Sequence, residues 1–227
     1  MSEFATAPPP RPRRRRRTPA ALFLICAILA GFAIEILTGA WRNGERLALL
    51  GATIPEAVRA GQYWRLVTAM FLHGDGTVGG DLLHLAVNLF ALYQLGPLYE
   101  LMFGTRRFLI IYFSAGIVAS LTSVLHNAGA SVGASGAIFG ILGAFISSIL
   151  RSPRWRHDRM GRSIVKQCIF WAALNLIVVS RFPQIDNAAH IGGLVAGLLL
   201  GAILPRHVPP PPPAAVVVDV KPFDDRV

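Results

Sequence analysis

Gly133-Ala134-Ser135-Gly136-Ala137-Ile138-Phe139-Gly140 sets a lone serine among glycines at the start of a long apolar run. Ala188-Ala189-His190-Ile191-Gly192-Gly193 opens another such run with a histidine. Hydrocarbon penalises polar and ionisable groups, so a serine and a histidine a few residues inside apolar helices are functional candidates. Their chemistry is that of a nucleophile and a base.

Both runs belong to a chain with the composition of a membrane protein. Of its 227 residues, 53% are hydrophobic and 15% are charged, and the mean hydropathy is +0.52. Soluble chains carry about a quarter charged residues, and a helix needs about 20 apolar residues to cross the hydrocarbon core. Six stretches have that character, near 20–39, 82–103, 108–125, 133–150, 164–182 and 188–204. The expected fold is an all-α, polytopic bundle of six transmembrane helices. The first stretch is too long, and lacks a suitably placed small-residue cleavage site, for a signal peptide, so it reads as a retained span.

Charge sets the expected orientation. With the N-terminus in the cytoplasm, the inner segments hold Arg11, Arg13 to Arg17, Arg106, Arg107, Arg151, Arg154, Arg156, Arg159, Arg162, Lys166, Arg206, Lys221 and Arg226. The outer segments keep only Arg42, Arg46, Arg59, Arg65 and Arg181. Cytoplasmic enrichment of Lys and Arg is the asymmetry that membrane insertion produces, so both termini are expected inside. The net charge of +10 is thereby assigned to topology, and no nucleic-acid partner is expected. The Arg13–Arg17 block would attract anionic lipid at about 1 kcal/mol per residue near the surface. Six spans without a seventh point to a bacterial plasma membrane.

The ends read as tails around one membrane domain. Residues 1–18 join Pro8-Pro9-Pro10 to the arginine run, and residues 206–227 contain Pro209 to Pro213 before an acidic tip. Polyproline is stiff and has no apolar face to pack. Residues 19–205 form the domain. Cys26 and Cys168 fall near the cytoplasmic ends of their spans, a reducing face where a disulfide is not expected. No His-Glu-x-x-His or Cys-x-x-Cys is present, so neither a metal nor a cofactor is expected.

In this topology the second, fourth and sixth spans all begin at the outer face. Ser135 and His190 then lie within about one turn of that face, and the pair His84 and Asn88, whose spacing of four puts them on one helical face, lies within about two turns of it. Each residue alone has a plainer reading: a serine between glycines is commonly a packing residue, and membrane histidines and asparagines commonly bond between helices. The joint placement favours catalysis, because a serine nucleophile needs a base in reach and donors for a developing oxyanion. Gly193, Gly197 and Gly201 recur every four residues, and Gly133, Gly136, Gly140 and Gly143 thin the fourth span. Such stripes let helix backbones approach closely enough for a short serine to meet a histidine.

These residues together resemble the rhomboid intramembrane serine proteases. The resemblance covers about Tyr63 to Leu204 and rests on Gly133-Ala134-Ser135-Gly136, His84-x-x-x-Asn88 and Ala189-His190-Ile191-Gly192-Gly193 in that order. It extends to Tyr63-Trp64-Arg65 and to Gly96-x-x-x-Glu100-x-x-x-Gly104 with Arg106. It implies a Ser135–His190 dyad without a third carboxylate, and an oxyanion site made by Asn88, His84 and the Ser135 amide. It also implies hydrolysis of transmembrane protein substrates near the extracytoplasmic face. Phe139 stands where many members have a tyrosine that stacks on the histidine, and a phenyl ring can do the same. Glu100 is expected to pair with Arg106.

The remaining acids and histidines receive other readings. Asp186, four residues before His190, reads as a cap or turn residue. Glu35 falls near the outer end of the first span, His73 in the outer loop, and His126 at the end of the third span. Trp41, Tyr63 and Trp64 suit a loop partly embedded at the lipid interface. Two other classes share part of this pattern. One is an inactive relative that binds or escorts membrane helices; the other is a small transporter, which would more often show repeats and midplane sites.

Overall fold

The computed structural model describes residues 18–74, 80–126, 129–177 and 185–204. Apart from Thr18, both expected tails lie outside the described residues. The described helices are α1 (Pro19–Thr38), α2 (Gly44–Leu50), α3 (Pro55–Arg59), α4 (Arg65–Thr68), α5 (Gly80–Phe103), α6 (Thr105–His126), α7 (Ser135–Leu150), α8 (Arg159–Ile177) and α9 (Asn187–Ile203). Among the described residues there is no strand, only an antiparallel bridge between Thr53 and Ser131.

Three of these helices are long and apolar enough to cross a membrane: Pro19–Thr38, Leu82–Phe103 within α5, and Thr105–His126. The helices α7 and α9 are apolar but shorter. The fifth expected stretch, 164–182, corresponds to α8, which begins earlier, at Arg159, and is described as far as Ile177. The surface differs from that of a soluble protein, while the core is mostly apolar and also holds several polar and charged groups. Leu22, Phe23, Leu83, Phe90, Phe170 and Leu199 are exposed, whereas Glu35, Asn88, Glu100, Arg107 and His190 are buried. That distribution fits a lipid surround, where apolar side chains face out and polar groups face protein partners.

At the end of the bundle away from Ser135, buried polar side chains tie the helices together. Glu100, near the end of α5, accepts the N–H groups of Ala20 (3.3 Å) and Ala21 (3.0 Å) and the Thr105 hydroxyl (2.7 Å). A carboxylate there satisfies donors that the first turn of α1 would otherwise leave unpaired. Arg106 is exposed, so the expected Glu100–Arg106 pair gives way to a helix cap. Arg107 points inward instead, donating to Ser148 Oγ (2.9 Å) and the Gly201 carbonyl (2.7 Å), which links α6, α7 and α9.

The helix α7 lies in the middle of the bundle, with residues 136–145 all buried. Its glycines meet those of α9 directly. A methyl group on Gly193 would overlap the Gly136 carbonyl, and one on Gly197 would overlap the Gly140 carbonyl. Lipid offers apolar side chains no net gain from helix association, so close backbone packing of this kind holds such helices together.

The segment between α1 and α5 folds onto the approach to α7. Asn43 caps α2 by accepting the Arg46 N–H (3.0 Å). Arg65 is buried and donates to the carbonyls of Ala48 (2.6 Å) and Ala52 (2.9 Å). Thr53 and Ser131 exchange backbone hydrogen bonds at 2.9 Å each, and the Gly133 N–H donates to the Ala69 carbonyl (2.9 Å). The loop entering Ser135 is thus held from one side over several residues.

Candidate active site

Ser135 is the first residue of α7, and His190 is the fourth of α9. They do not stand a few residues inside their helices to the same degree; the serine sits on the helix N-terminus itself. Its backbone N–H is therefore one of the donors that a first turn leaves without an intrahelical partner. The side chain is half-buried.

The glycine contacts explain how two short elements come together. Gly136 follows Ser135 and meets Gly193, which lies one turn after His190. The first turns of α7 and α9 are consequently in backbone contact beside both residues. The His190 ring is 5% exposed and stacks on Phe139, with centroids 4.2 Å apart and planes 8° from parallel. Phe139, 4% exposed, forms the floor beneath the imidazole. Asp186 is the N-cap of α9: its Oδ1 accepts the Ala189 N–H (2.9 Å), and its carbonyl accepts the His190 N–H (3.2 Å). His190 Nδ1 has no hydrogen-bond partner among the described residues, so Asp186 caps the helix and does not bond to the imidazole.

His84 reaches the site from α5. Gly133 has φ of +119°, in the left-handed region that disfavours side chains, and a Cβ there would lie 2.8 Å from His84 Nε2 and 3.9 Å from Ser135 Oγ. Glycine at this position serves both purposes, the turn and the close approach of the imidazole. Asn88 is buried, and its Nδ2 donates to the His84 carbonyl one turn earlier (2.9 Å). One amide hydrogen is thereby occupied, and the second remains as a donor.

Two residues read from sequence only by their positions enter this neighbourhood. His73 lies in the outer loop as expected, yet it is fully buried. Its ring centroid is 5.2 Å from that of His84, and its Nε2 accepts the Ala134 N–H (3.5 Å). Burial, reinforced by nearby His84, lowers its pKa to about 3, so the ring is neutral at physiological pH. The Glu35 carboxylate, also fully buried, accepts the N–H groups of His73 (2.8 Å) and Gly74 (2.6 Å). A carboxylate in an apolar run was a signal for such a role, because it requires a partner inside the protein. His126 ends α6 and is exposed.

A small cavity adjoins Ser135, lined by Thr53, Ser120, Ser131, Gly136 and Ala189 among others. It has polar walls and room for a water molecule. Among the described residues no three His, Cys, Asp or Glu side chains cluster as a metal site would require. A hydroxyl on a helix N-terminus, a stacked imidazole and convergent amide and imidazole groups are the components of acyl-transfer chemistry.

The class is that of a polytopic, all-helical membrane protein with a serine and a histidine on the adjoining ends of two glycine-packed helices. Residues 60–207 match the family model described as the Rhomboid domain. The chain is 38% identical over 183 residues to the rhomboid protease GluP of Bacillus subtilis, covering 81% of this chain and 34% of that protein. It is 37% identical over 161 residues to RHOMBOID-like protein 5 of Arabidopsis thaliana (70% of this chain, 49% of the relative). It is also 33% identical over 181 residues to rhomboid-like protease 2 of Toxoplasma gondii (78% and 59%). The chain spans from about a third to about three-fifths of the length of these relatives. It belongs to the rhomboid family and is an integral membrane protein.

Proposed function

We propose that this chain is a serine endopeptidase that cleaves transmembrane proteins within the bilayer, near the extracytoplasmic face, by a Ser135–His190 dyad. The observation that carries this reading is the backbone contact of Gly136 with Gly193, which abuts the helix ends bearing Ser135 and His190. Relatives named as proteases in Bacillus and Toxoplasma support the reaction class.

In this mechanism Ser135 Oγ attacks the scissile carbonyl carbon while His190 Nε2 takes the hydroxyl proton. The carbonyl π-electrons move to oxygen, and the oxyanion accepts hydrogen bonds from the Ser135 N–H, the free Asn88 amide hydrogen and His84. Collapse of the tetrahedral adduct breaks the C–N bond, and the amine leaves with the proton held by His190. Water then attacks the acyl-enzyme, giving its proton to His190, and the serine is released with that proton restored. The polar cavity beside Ser135 supports the hydrolytic half by offering a place for water next to the ester. Phe139 keeps the imidazole in plane through both proton transfers.

The same reading places six spans in the membrane, with residues 19–205 as the protease domain and both flanking segments, 1–18 and 206–227, in the cytoplasm. The skew of Lys and Arg supports that orientation, and a bacterial plasma membrane suits six spans. The test is cleavage of a transmembrane substrate by the full chain in liposomes, with a correctly inserted Ser135→Ala protein as control. Loss of cleavage in that control supports the proposal. Full-rate cleavage by it overturns the proposal.

A further inference from the structure

Glu35 and His73 are two buried polar groups near the site that the mechanism does not use. They form a continuous path. Glu35, from the last turns of α1, receives the two successive backbone N–H groups of His73 and Gly74. A Cβ on Gly74 would lie 2.8 Å from Glu35 Oε2, so glycine is what lets the backbone close onto the carboxylate. His73 then turns its ring toward α5 and α7, where Nε2 takes the Ala134 N–H (3.5 Å) and the ring lies 5.2 Å from that of His84, tilted by 52°. Ala134 immediately precedes Ser135, and His84 lies against Gly133. Charge-assisted bonds from backbone N–H to carboxylate are short and strong, and buried donors left without them are penalised. The path is therefore stiff at the α1 end and delivers two contacts at the Ser135 end.

We propose that Glu35 and His73 are a positioning pair for the reaction centre. The carboxylate fixes the loop backbone, and the imidazole sets the Ala134 peptide and the His84 ring relative to Ser135. Neither side chain need touch the substrate. This inference rests on the Ser135–His190 reading for its catalytic consequence, while the coupling itself is a property of the fold. It gives α1, which supplies none of the reacting groups, a part in the geometry of the site. A displacement of about 1 Å at a reacting centre can lower the rate about 100-fold, so a pair acting on the serine's own backbone has leverage.

The test uses the full chain in liposomes and four variants. In His73→Phe the ring shape stays and the acceptor is lost; in His73→Gln the side-chain oxygen can stand near the place of Nε2. Glu35→Ala removes both acceptor oxygens, and Glu35→Gln keeps one. Kinetics on a transmembrane substrate, the rate of Ser135 labelling by a fluorophosphonate per folded molecule, and hydrogen exchange of segment 129–135 are measured together. His73→Phe and Glu35→Ala should lower kcat by about 10-fold to 100-fold with KM within twofold, slow the labelling and speed exchange at Ala134. His73→Gln and Glu35→Gln should recover part of each loss.

Wild-type kcat in folded His73→Phe, an effect confined to KM, or equal losses in the Phe and Gln variants would overturn the pair as a positioning device. If His73→Phe does not fold, Glu35→Ala decides: unchanged kcat, labelling and exchange at Ala134 in that folded variant overturn it. A wild-type chain that neither cleaves nor labels sinks the proposed activity instead. In that case the exchange data still decide whether Glu35 and His73 hold the Ala134 peptide.

Discussion

The phenyl ring of Phe139 and the imidazole of His190 lie face to face, 4.2 Å apart and 8° from parallel. Phe139 is one turn below Ser135 on α7, so a single helix carries both the candidate nucleophile and the surface against which the candidate base rests. His190 has no hydrogen bond at Nδ1 among the described residues, and flat packing on Phe139 is what fixes the plane of the ring.

Removing that surface should free the imidazole to rotate. Phe139→Ala is expected to lower kcat by about 10-fold or more, since small misplacements at a reacting group have large effects on rate. It should also lower the thermal midpoint, because a buried Phe→Ala change typically loses about 3–5 kcal/mol in water-soluble proteins. Phe139→Tyr keeps the ring and should lose far less. Equal kcat in the Ala and Tyr variants would show that stacking does not position the base.

The dyad assignment separates the histidines. His190→Ala and Ser135→Ala should each abolish cleavage while leaving a folded, inserted protein, because a dyad works as a unit. His126 is exposed at the end of α6, and His126→Ala should keep most of the activity. Steady-state cleavage by the three variants in liposomes is the measurement, and an inactive His126→Ala beside an active His190→Ala would reverse the assignment.

Asn88→Ala tests the oxyanion donors. Loss of one such donor typically lowers kcat by about 10²–10³, although the Ser135 amide and His84 can partly compensate. Turnover should fall substantially while fluorophosphonate labelling of Ser135 remains detectable. Unchanged turnover in the double variant His84→Ala/Asn88→Ala would reduce both residues to interhelical packing.

Much of this arrangement is legible in the sequence, and the parts that are not share a cause. Five of the six apolar stretches correspond closely to α1, α5, α6, α7 and α9, because an apolar run near membrane length has few alternative structures. The serine and histidine were findable because polar groups stand out in such runs. The earlier start of α8 was harder to see, since Arg159, Arg162 and Lys166 make its first turns look like loop. Glu100 shows its depth in the sequence but not its partner: the family resemblance points to nearby Arg106, whereas the first turn of α1, about 80 residues away in sequence, takes both carboxylate oxygens. His73 lies in a loop, where no periodicity reports burial, and only the fold brings it to His84.

His73 also gives the stability of the protein a definite pH dependence. Its pKa is lowered from 6.5 to about 3 by burial, with His84 on α5 adding to the effect; Glu35 on α1 holds its backbone from the other side. Above about pH 6.5 the ring is neutral in both folded and unfolded chains and contributes no slope. Below that value the unfolded chain binds a proton that the folded chain refuses until about pH 3. Stability therefore falls as pH falls across this window, by at most about 1.4 kcal/mol per pH unit for one proton. Thermal unfolding in detergent at intervals from pH 7.5 to 4 should show the midpoint declining below pH 6.5. The decline should be shallower in His73→Gln, which has no titrating ring at this position. Parallel curves for the two proteins would mean that His73 takes up its proton as readily in the folded state as in the unfolded one.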